Sequence, residues 1–269
     1  MDIVQLVCKI PFVNDRINRK TTSDHVSKVL VLGPGGVGKT TLGAFLNGQK
    51  RSILEKPNEY ITTVDFEDFD IDGIDGASLH IAPGQARSLE HNWKSICRGL
   101  EDGEFAGVIL VSSYGYHAIG NIDYKGNPAY EKGNSDTQFM KKYLVQRQQL
   151  EISLLDSVCK AIASSNQRIW LLNFVSKQDL WMRNSSDVEK YYTSGDYHQV
   201  IDTLLRTKNS ENFRYDTTFG CVEIANFVTG RGVELAKCSA GYGQSQQADS
   251  LNHLLGTIKT LIRWTHGEK

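Results

Sequence analysis

Residues 33–40 read GPGGVGKT, and this stretch decides the fold. It is a complete match to the spacing G-x-x-x-x-G-K-[S/T]. It follows the apolar run KVLVL at 28–32 and precedes TLGAFLNG, which suits a helix. Strand, glycine loop and helix in that order make an anion cradle. Gly33, Gly35, Gly36 and Gly38 let the backbone, with Val37 among them, turn its N–H groups inward on a phosphate. The helix that follows points its positive end at the same place. Lys39 brings a point charge to the β- and γ-phosphates, the Thr40 hydroxyl is a ligand for Mg²⁺, and Thr41 joins the binding set beside it. The expectation is a bound nucleoside phosphate.

Outward from the loop, short apolar runs alternate with segments of helical period, the pattern of an α/β domain built on a parallel sheet. Strands are predicted at Lys28–Leu32, Val64–Ile71, Ala77–Ile81, Ala106–Ser112, Arg168–Phe174 and Gly232–Lys237. The turn IDGIDG at 71–76 makes the second and third of these a candidate antiparallel hairpin. One helical face runs through Met140, Leu144, Arg147, Leu150, Leu154, Val158 and Ile162, with Arg147 the misfit. Another runs through Leu251, Leu254, Leu255, Ile258, Leu261 and Ile262. Residues 113–137, rich in Gly, Tyr and Asn, read as a long loop, of the kind that covers a ligand or meets a partner. The stretch 207–231 is ambiguous, and DIVQLVCKI within the extension at 1–26 is compatible with an added edge strand.

Composition narrows the class without naming it. The 269 residues carry 30 Lys+Arg against 31 Asp+Glu, a net charge of -1, so nothing points to nucleic acid or an anionic membrane as main partner. The longest apolar runs are far too short to span a bilayer. The N-terminus lacks the pattern of a secretory signal, and Asp2 stands where an acylated glycine would be. Five scattered cysteines without a CxxC pair disfavour a disulfide framework or zinc site and suit the cytoplasm. His80, His91 and His117 show no metal-binding spacing. Tyr114, Tyr116, Tyr124 and Tyr130 lack the interleaved basic residues of a base-stacking surface and fit a packed loop or a protein-binding face.

Three further pieces occur in order behind the glycine loop: TTVDF at 62–66 before a strand, APGQ at 82–85 after the next, and SKQD at 176–179 closing RIWLLNFV. CSA at 238–240 closes the last predicted strand. This constellation resembles the Ras-like small GTPases, nearest to the Arf- and Rab-like members and to bacterial gliding-motility polarity GTPases whose second switch reads PGQ. Two other groups share GGVGKTT. Partition-type ATPases have a lysine where this chain has Pro34, and immune-receptor-type ATPases carry consecutive acidic residues closing a hydrophobic strand, which no suitable place downstream supplies. The resemblance implies a P-loop NTPase fold, a Ras-like G domain with a mostly parallel central sheet flanked by helices. That single domain would cover 27–269, with insertions near 113–137 and 181–231.

By the same resemblance, Thr63 (or Thr62) closes over Mg²⁺ and the γ-phosphate together with Thr40. Gly84 donates its N–H to the γ-phosphate and Gln85 positions the attacking water, so that Lys39, Gly84 and Gln85 form the catalytic set. Ser176, Lys177 and Asp179 hold the base, Asp179 accepting from guanine N1–H and the 2-amino group. Ser239 and Ala240 reach the guanine O6. The implied ligands are Mg²⁺ with GTP or GDP, and a protein effector or activator would read the switches. Two positions depart from the family. Ser176 stands for the usual Asn or Thr, and Ile81 stands where an aspartate normally begins the second switch. Arg51 and Arg87 are candidates for an arginine finger within the chain, the alternative being a finger from a partner. A GTP-binding scaffold that scarcely hydrolyses, and a P-loop ATPase or kinase, remain the competing readings.

Overall fold

The computed structural model describes residues 27–49 and 65–267; the expectations placed on 1–26, Arg51, Thr62 and Thr63 lie outside these. The elements are β1 (Ser27–Leu32), α1 (Lys39–Leu46), β2 (Glu67–Asp70), β3 (Ala77–Ile81), α2 (Ala86–Glu101), β4 (Gly107–Ser112), α3 (Asp136–Ser164) and β5 (Ile169–Val175). There follow α4 (Gln178–Trp181), α5 (Ser185–Thr193), α6 (Asp196–Thr207), β6 (Phe213–Phe219), β7 (Phe227–Val228), β8 (Glu234–Ala236) and α7 (Gln244–Thr265). Six strands form one sheet in the order β2-β3-β1-β4-β5-β6, parallel throughout except for the β2–β3 hairpin. The chain has an α/β fold, a mostly parallel central sheet with helices on both faces.

Alternation along the strands divides the core. Leu30 and Leu32 point to one face with α2, α3, α5 and α6, while Val29 and Val31 point to the other with α1 and α7. Central strands are therefore covered on both sides: β4 (GVILVS) and β5 (IWLLNFV) are buried along their whole length, and their polar members Ser112 and Asn173 hydrogen-bond to each other at 2.8 Å.

Two expectations about strands need correction. The sixth strand of the sheet is Phe213–Phe219, inside the stretch read as insertion or as ambiguous, and 181–231 also supplies α5 and α6. The predicted strand Gly232–Lys237 shrinks to β8, which pairs with β7 in a separate two-stranded ribbon. FRYDTTF was unreadable as a sheet strand because β6 is an edge strand with alternate positions facing water. Arg214 and Asp216 are exposed there, while Phe213 and Thr218 are buried.

The α3 face also differs. Ser135 caps the helix through a reciprocal pair with Gln138, and Leu154, Val158 and Ile162 are in the core as expected. Leu150, however, is 46% exposed, and its neighbour Glu151 is buried in its place. Glu151 organises the loop after β4. Its Oε1 accepts from the Ser113 N–H (2.9 Å), the Gly115 N–H (3.1 Å) and His117 Nε2 (2.9 Å), and its Oε2 accepts from the Tyr192 hydroxyl at 2.7 Å. Burial pushes the His117 imidazole down, against the pull of Glu151, which suits a neutral ring donating through Nε2. The stretch read as a long loop is thus folded into a third cluster, where Ile119, Tyr124, Ala129, Phe139 and Tyr143 meet Phe227.

Glu151→Ala leaves two buried backbone N–H groups, a histidine N–H and a tyrosine hydroxyl without their shared acceptor. We expect a loss of about 3 kcal/mol or more in denaturant unfolding. Glu151→Gln, which keeps an acceptor oxygen, loses less. Wild-type stability in the alanine variant would contradict this account of the loop.

Candidate functional site

The glycine loop joins β1 to α1 and presents its N–H groups at the C-terminal ends of the parallel strands, the usual place for a ligand in such sheets. Gly36 has φ of +79°, and a Cβ there would come within 2.5 Å of the Ala118 nitrogen. Glycine is required both by the backbone conformation and by the closeness of the post-β4 loop. The Lys39 ammonium is buried and donates to the carbonyls of Gly33 (2.8 Å) and Pro34 (3.1 Å). Burial lowers its pKa to about 8, partly offset by the negative charge of Glu67.

The other motifs arrive from separate elements. APGQ leaves β3 and runs beside the loop: a Cβ on Gly84 would collide with Lys39 Nζ, and Gln85 Nε2 lies close to Gly35. SKQD leaves the end of β5. The Ser176 hydroxyl lies 2.7 Å from the Val37 carbonyl and 2.8 Å from the Ser112 carbonyl, so it ties the end of β5 to the glycine loop and to β4. The short hydroxyl therefore does the tethering expected of a longer side chain at this position. Lys177 takes the left-handed conformation (φ 59°, ψ 37°) and sends its ammonium to the carbonyls of Gly36 (2.8 Å) and Tyr116 (2.6 Å). Its pKa is also lowered to about 8, by burial against the attraction of Asp179.

Asp179 is 1% exposed. Its Oδ1 accepts from the Cys221 thiol at 3.0 Å; its Oδ2 accepts from the Ala225 N–H at 3.0 Å and the Cys238 thiol at 3.3 Å. Burial first, and then the charge of Asp179, push both thiols upward, Cys238 to about 12. The thiols stay protonated and act as donors, not as nucleophiles. Oδ2 thus has two donors, while Oδ1, with one, keeps an acceptor site for a further donor.

These pieces line one cavity of about 470 Å³. Its walls include Gly35, Gly36, Val37, Gly38, Lys39, Thr40, Thr41, Gly84, Gln85, Ser176, Lys177 and Asp179. Gly33 stands behind the wall, its carbonyl occupied by Lys39. Ser239 and Ala240 are not on the wall: the Ser239 N–H donates to the Asp179 carbonyl at 2.6 Å, behind the carboxylate, and Ala240 is exposed. The physical reason lies in the strand order. CSA follows the ribbon strand β8, whereas the loop after the sheet's last strand, with Cys221, Val222, Glu223 and Ala225, lines the cavity.

The loop after β6 was missed from the sequence, whereas Ala118 and Ile119 fall in the segment 113–137 read as covering a ligand or meeting a partner, although neither residue was singled out. The spacing of the 113–137 segment gave no signal that it returns to the loop. Arg87 is exposed on the first turn of α2 and does not line the cavity. A wider depression of about 940 Å³, between β6 and α7, contains none of the motif residues. No group of three or more acidic, His or Cys side chains forms a ready-made metal site among the described residues. No helix among them is long and apolar enough to cross a membrane.

No protein-family model matches the chain, and no curated protein matches it in sequence. Among solved structures it is similar to the signal recognition particle receptor SRb with GDP from Chaetomium thermophilum (14% identity, TM-score 0.40) and to the same protein with GDP and Mg (14%, 0.43). Both matches cover 88% of this chain and 99% of that one. It is also similar to translation elongation factor SelB from Methanococcus maripaludis in complex with the GTP analogue GppNHp (12%, TM-score 0.36), over 88% of this chain but only 34% of that one. At such identities and scores the similarity carries no residue roles across.

The lowered pKa of Lys39 gives a signed prediction. A phosphate is bound by the ammonium form, which is full below about 8 and is lost as pH rises through that value. GDP affinity measured by calorimetry therefore falls from pH 7 to pH 9. Lys39→Arg, whose guanidinium stays charged throughout, gives a shallower profile, and Lys39→Ala abolishes binding. A wild-type affinity independent of pH would contradict the lowered pKa, and undiminished binding by Lys39→Ala would contradict the assignment of Lys39 to the phosphates.

Proposed function

We propose that the protein is a Mg²⁺-dependent guanine-nucleotide switch that binds GTP and hydrolyses it slowly to GDP and phosphate. One observation carries this reading. A glycine loop with its lysine and threonine, and a buried carboxylate accepting from several donors, line the same cavity and are linked through Ser176 and Lys177. The parallel sheet brings these strand ends to one edge; what supports a nucleotide is the residue types found there, an anion cradle at one end of the cavity and a carboxylate acceptor at the other.

In this reading the loop N–H groups from Gly35 to Thr41, with Lys39, hold the β- and γ-phosphates, and the Lys177 stem lies along the base. Asp179 takes the guanine N1–H and 2-amino donors, one at the open Oδ1 site and the other in place of a thiol donor. Adenine offers neither donor in that place, so the carboxylate selects guanine. Ser239 acts indirectly, through the Asp179 backbone, and the loop after β6 stands in the place expected of Ser239 and Ala240 as neighbour of the base. Thr40, with Thr63 from the first switch, holds Mg²⁺, which when bound neutralises charge developing on the phosphate oxygens. The site has the chemistry a hard cation needs: a Thr40 hydroxyl oxygen and a Glu67 carboxylate oxygen 3.4 Å apart beside the phosphate lysine.

Gln85 orients the attacking water and Gly84 donates its N–H to the γ-phosphate. No arginine among the described residues reaches the cavity, so turnover is slow, on the order of 10⁻⁴–10⁻² s⁻¹, until a protein partner supplies one or Arg51 or Arg87 swings in. An effector would read the ordered first and second switches. The buried or half-buried free thiols fit a cytoplasmic setting.

Asp179→Asn leaves the pocket an amide where guanine needs an acceptor, and GTP affinity falls by about 2 kcal/mol or more while XTP affinity improves. Equal binding of ATP and GTP by the wild type would favour the ATPase or kinase reading. Gln85→Leu binds GTP normally and loses most of its single-turnover hydrolysis. If the wild type itself turns over no GTP, even with a partner extract, the scaffold reading replaces this one.

A further inference from the structure

The second switch begins on Ile81 where a carboxylate would ordinarily stand near the metal. Ile81 is 2% exposed, and its side chain packs so close to α1 that a methyl group on Gly43 would collide with it. It belongs to the apolar cluster of Val29, Leu42, Phe45 and Leu79. No carboxylate fits there without a cost in buried charge.

β2 and β3 are antiparallel, and their register sets Glu67 directly opposite Ile81. Residues opposite each other on an antiparallel pair project to the same face. For Glu67 that is the face of α1 and the glycine loop. Its Oε2 lies 3.4 Å from the Thr40 hydroxyl, and its charge acts on the Lys39 ammonium. The strand neighbour Asp68 projects to the opposite face, where it pairs with His80 at 2.6 Å. A displacement of one residue along β2 would bring either Phe66 or the shorter Asp68 to that place.

Building on the nucleotide reading above, we propose that Glu67 is the outer-shell carboxylate of the Mg²⁺ site, doing from β2 what Ile81 cannot do from β3. Glu67 is a positioning residue: it accepts hydrogen bonds from the water shell of the ion and from the Thr40 hydroxyl, and so orients the threonine toward the metal.

Release of a fluorescent GDP from the full chain, measured across a Mg²⁺ titration and in EDTA, tests this. Loss of an outer-shell partner ordinarily weakens metal affinity ~10–100-fold. Glu67→Gln should therefore move the Mg²⁺ midpoint of slow release upward by that factor, with release in EDTA unchanged, and Glu67→Asp should move it less. An unchanged midpoint in Glu67→Gln overturns the proposal. So does faster release in EDTA as well as in Mg²⁺, which marks a structural role for Glu67. Wild-type protein that binds GDP with no Mg²⁺ dependence also overturns it, leaving the nucleotide assignment intact. Wild-type protein that binds no GDP at all overturns the nucleotide reading instead.

Discussion

The buried ammonium of Lys177 is the contact on which the rest of the cavity depends. It sits on a residue in the left-handed conformation at the end of β5 and reaches two carbonyls, Gly36 in the glycine loop and Tyr116 after β4. Non-glycine residues adopt that backbone at a cost of about 1 kcal/mol or more, and keep it only where the surroundings over-determine it. Here they do. The Ser176 hydroxyl fixes the residue before it against Val37 and Ser112, and Asp179, two residues on, is held by three donors from two segments. Three loops from the ends of adjacent parallel strands are thus joined by one cation, and the glycine loop and the Asp179 end of the cavity become one continuous wall.

A buried anion does the matching work at the back of that wall. Glu151 accepts from the backbone at 113 and 115 and from His117, just before the chain passes Tyr116 to the Lys177 ammonium and Ala118 to the Gly36 carbonyl. The loop carries its polar backbone between a carboxylate that takes its N–H groups and an ammonium that takes its carbonyls. This explains how a glycine- and tyrosine-rich segment becomes part of the core. It also explains the exposure of Leu150. Over a 29-residue helix the apolar stripe cannot stay in phase with every layer it crosses, and where the helix passes the loop the polar satisfaction of the backbone decides which residue is buried.

The same distinction separates what was legible in the sequence from what was not. GPGGVGKT could be read because strand, turn, lysine and helix are consecutive, so local geometry alone assembles the anion site. APGQ and SKQD could be read because each closes an apolar run, and a parallel sheet brings the ends of such runs to one edge. β6 could not, since an edge strand with Arg214 and Asp216 facing water has the composition of a loop. CSA was misplaced for a related reason: three residues in a row look alike whether they end a sheet strand or a ribbon strand, and only pairing partners distinguish them. The walls from Ala118–Ile119 and Cys221–Ala225 depend on contacts between segments far apart in the chain, which no spacing encodes.

Ile81 and Glu67 show how such non-local contacts let chemistry move between positions. An acidic residue at 81 would serve a cation but would leave a hole among Gly43, Phe69 and Leu79. An isoleucine fills that space and seals α1 onto the hairpin. The antiparallel register offers a second position on the same face, one strand nearer the solvent, where a carboxylate is half-buried and loses less hydration. The apolar demand of the core and the polar demand of the site are met by two cross-strand neighbours rather than by one residue. A motif read position by position registers only the missing acid; the ladder supplies its replacement.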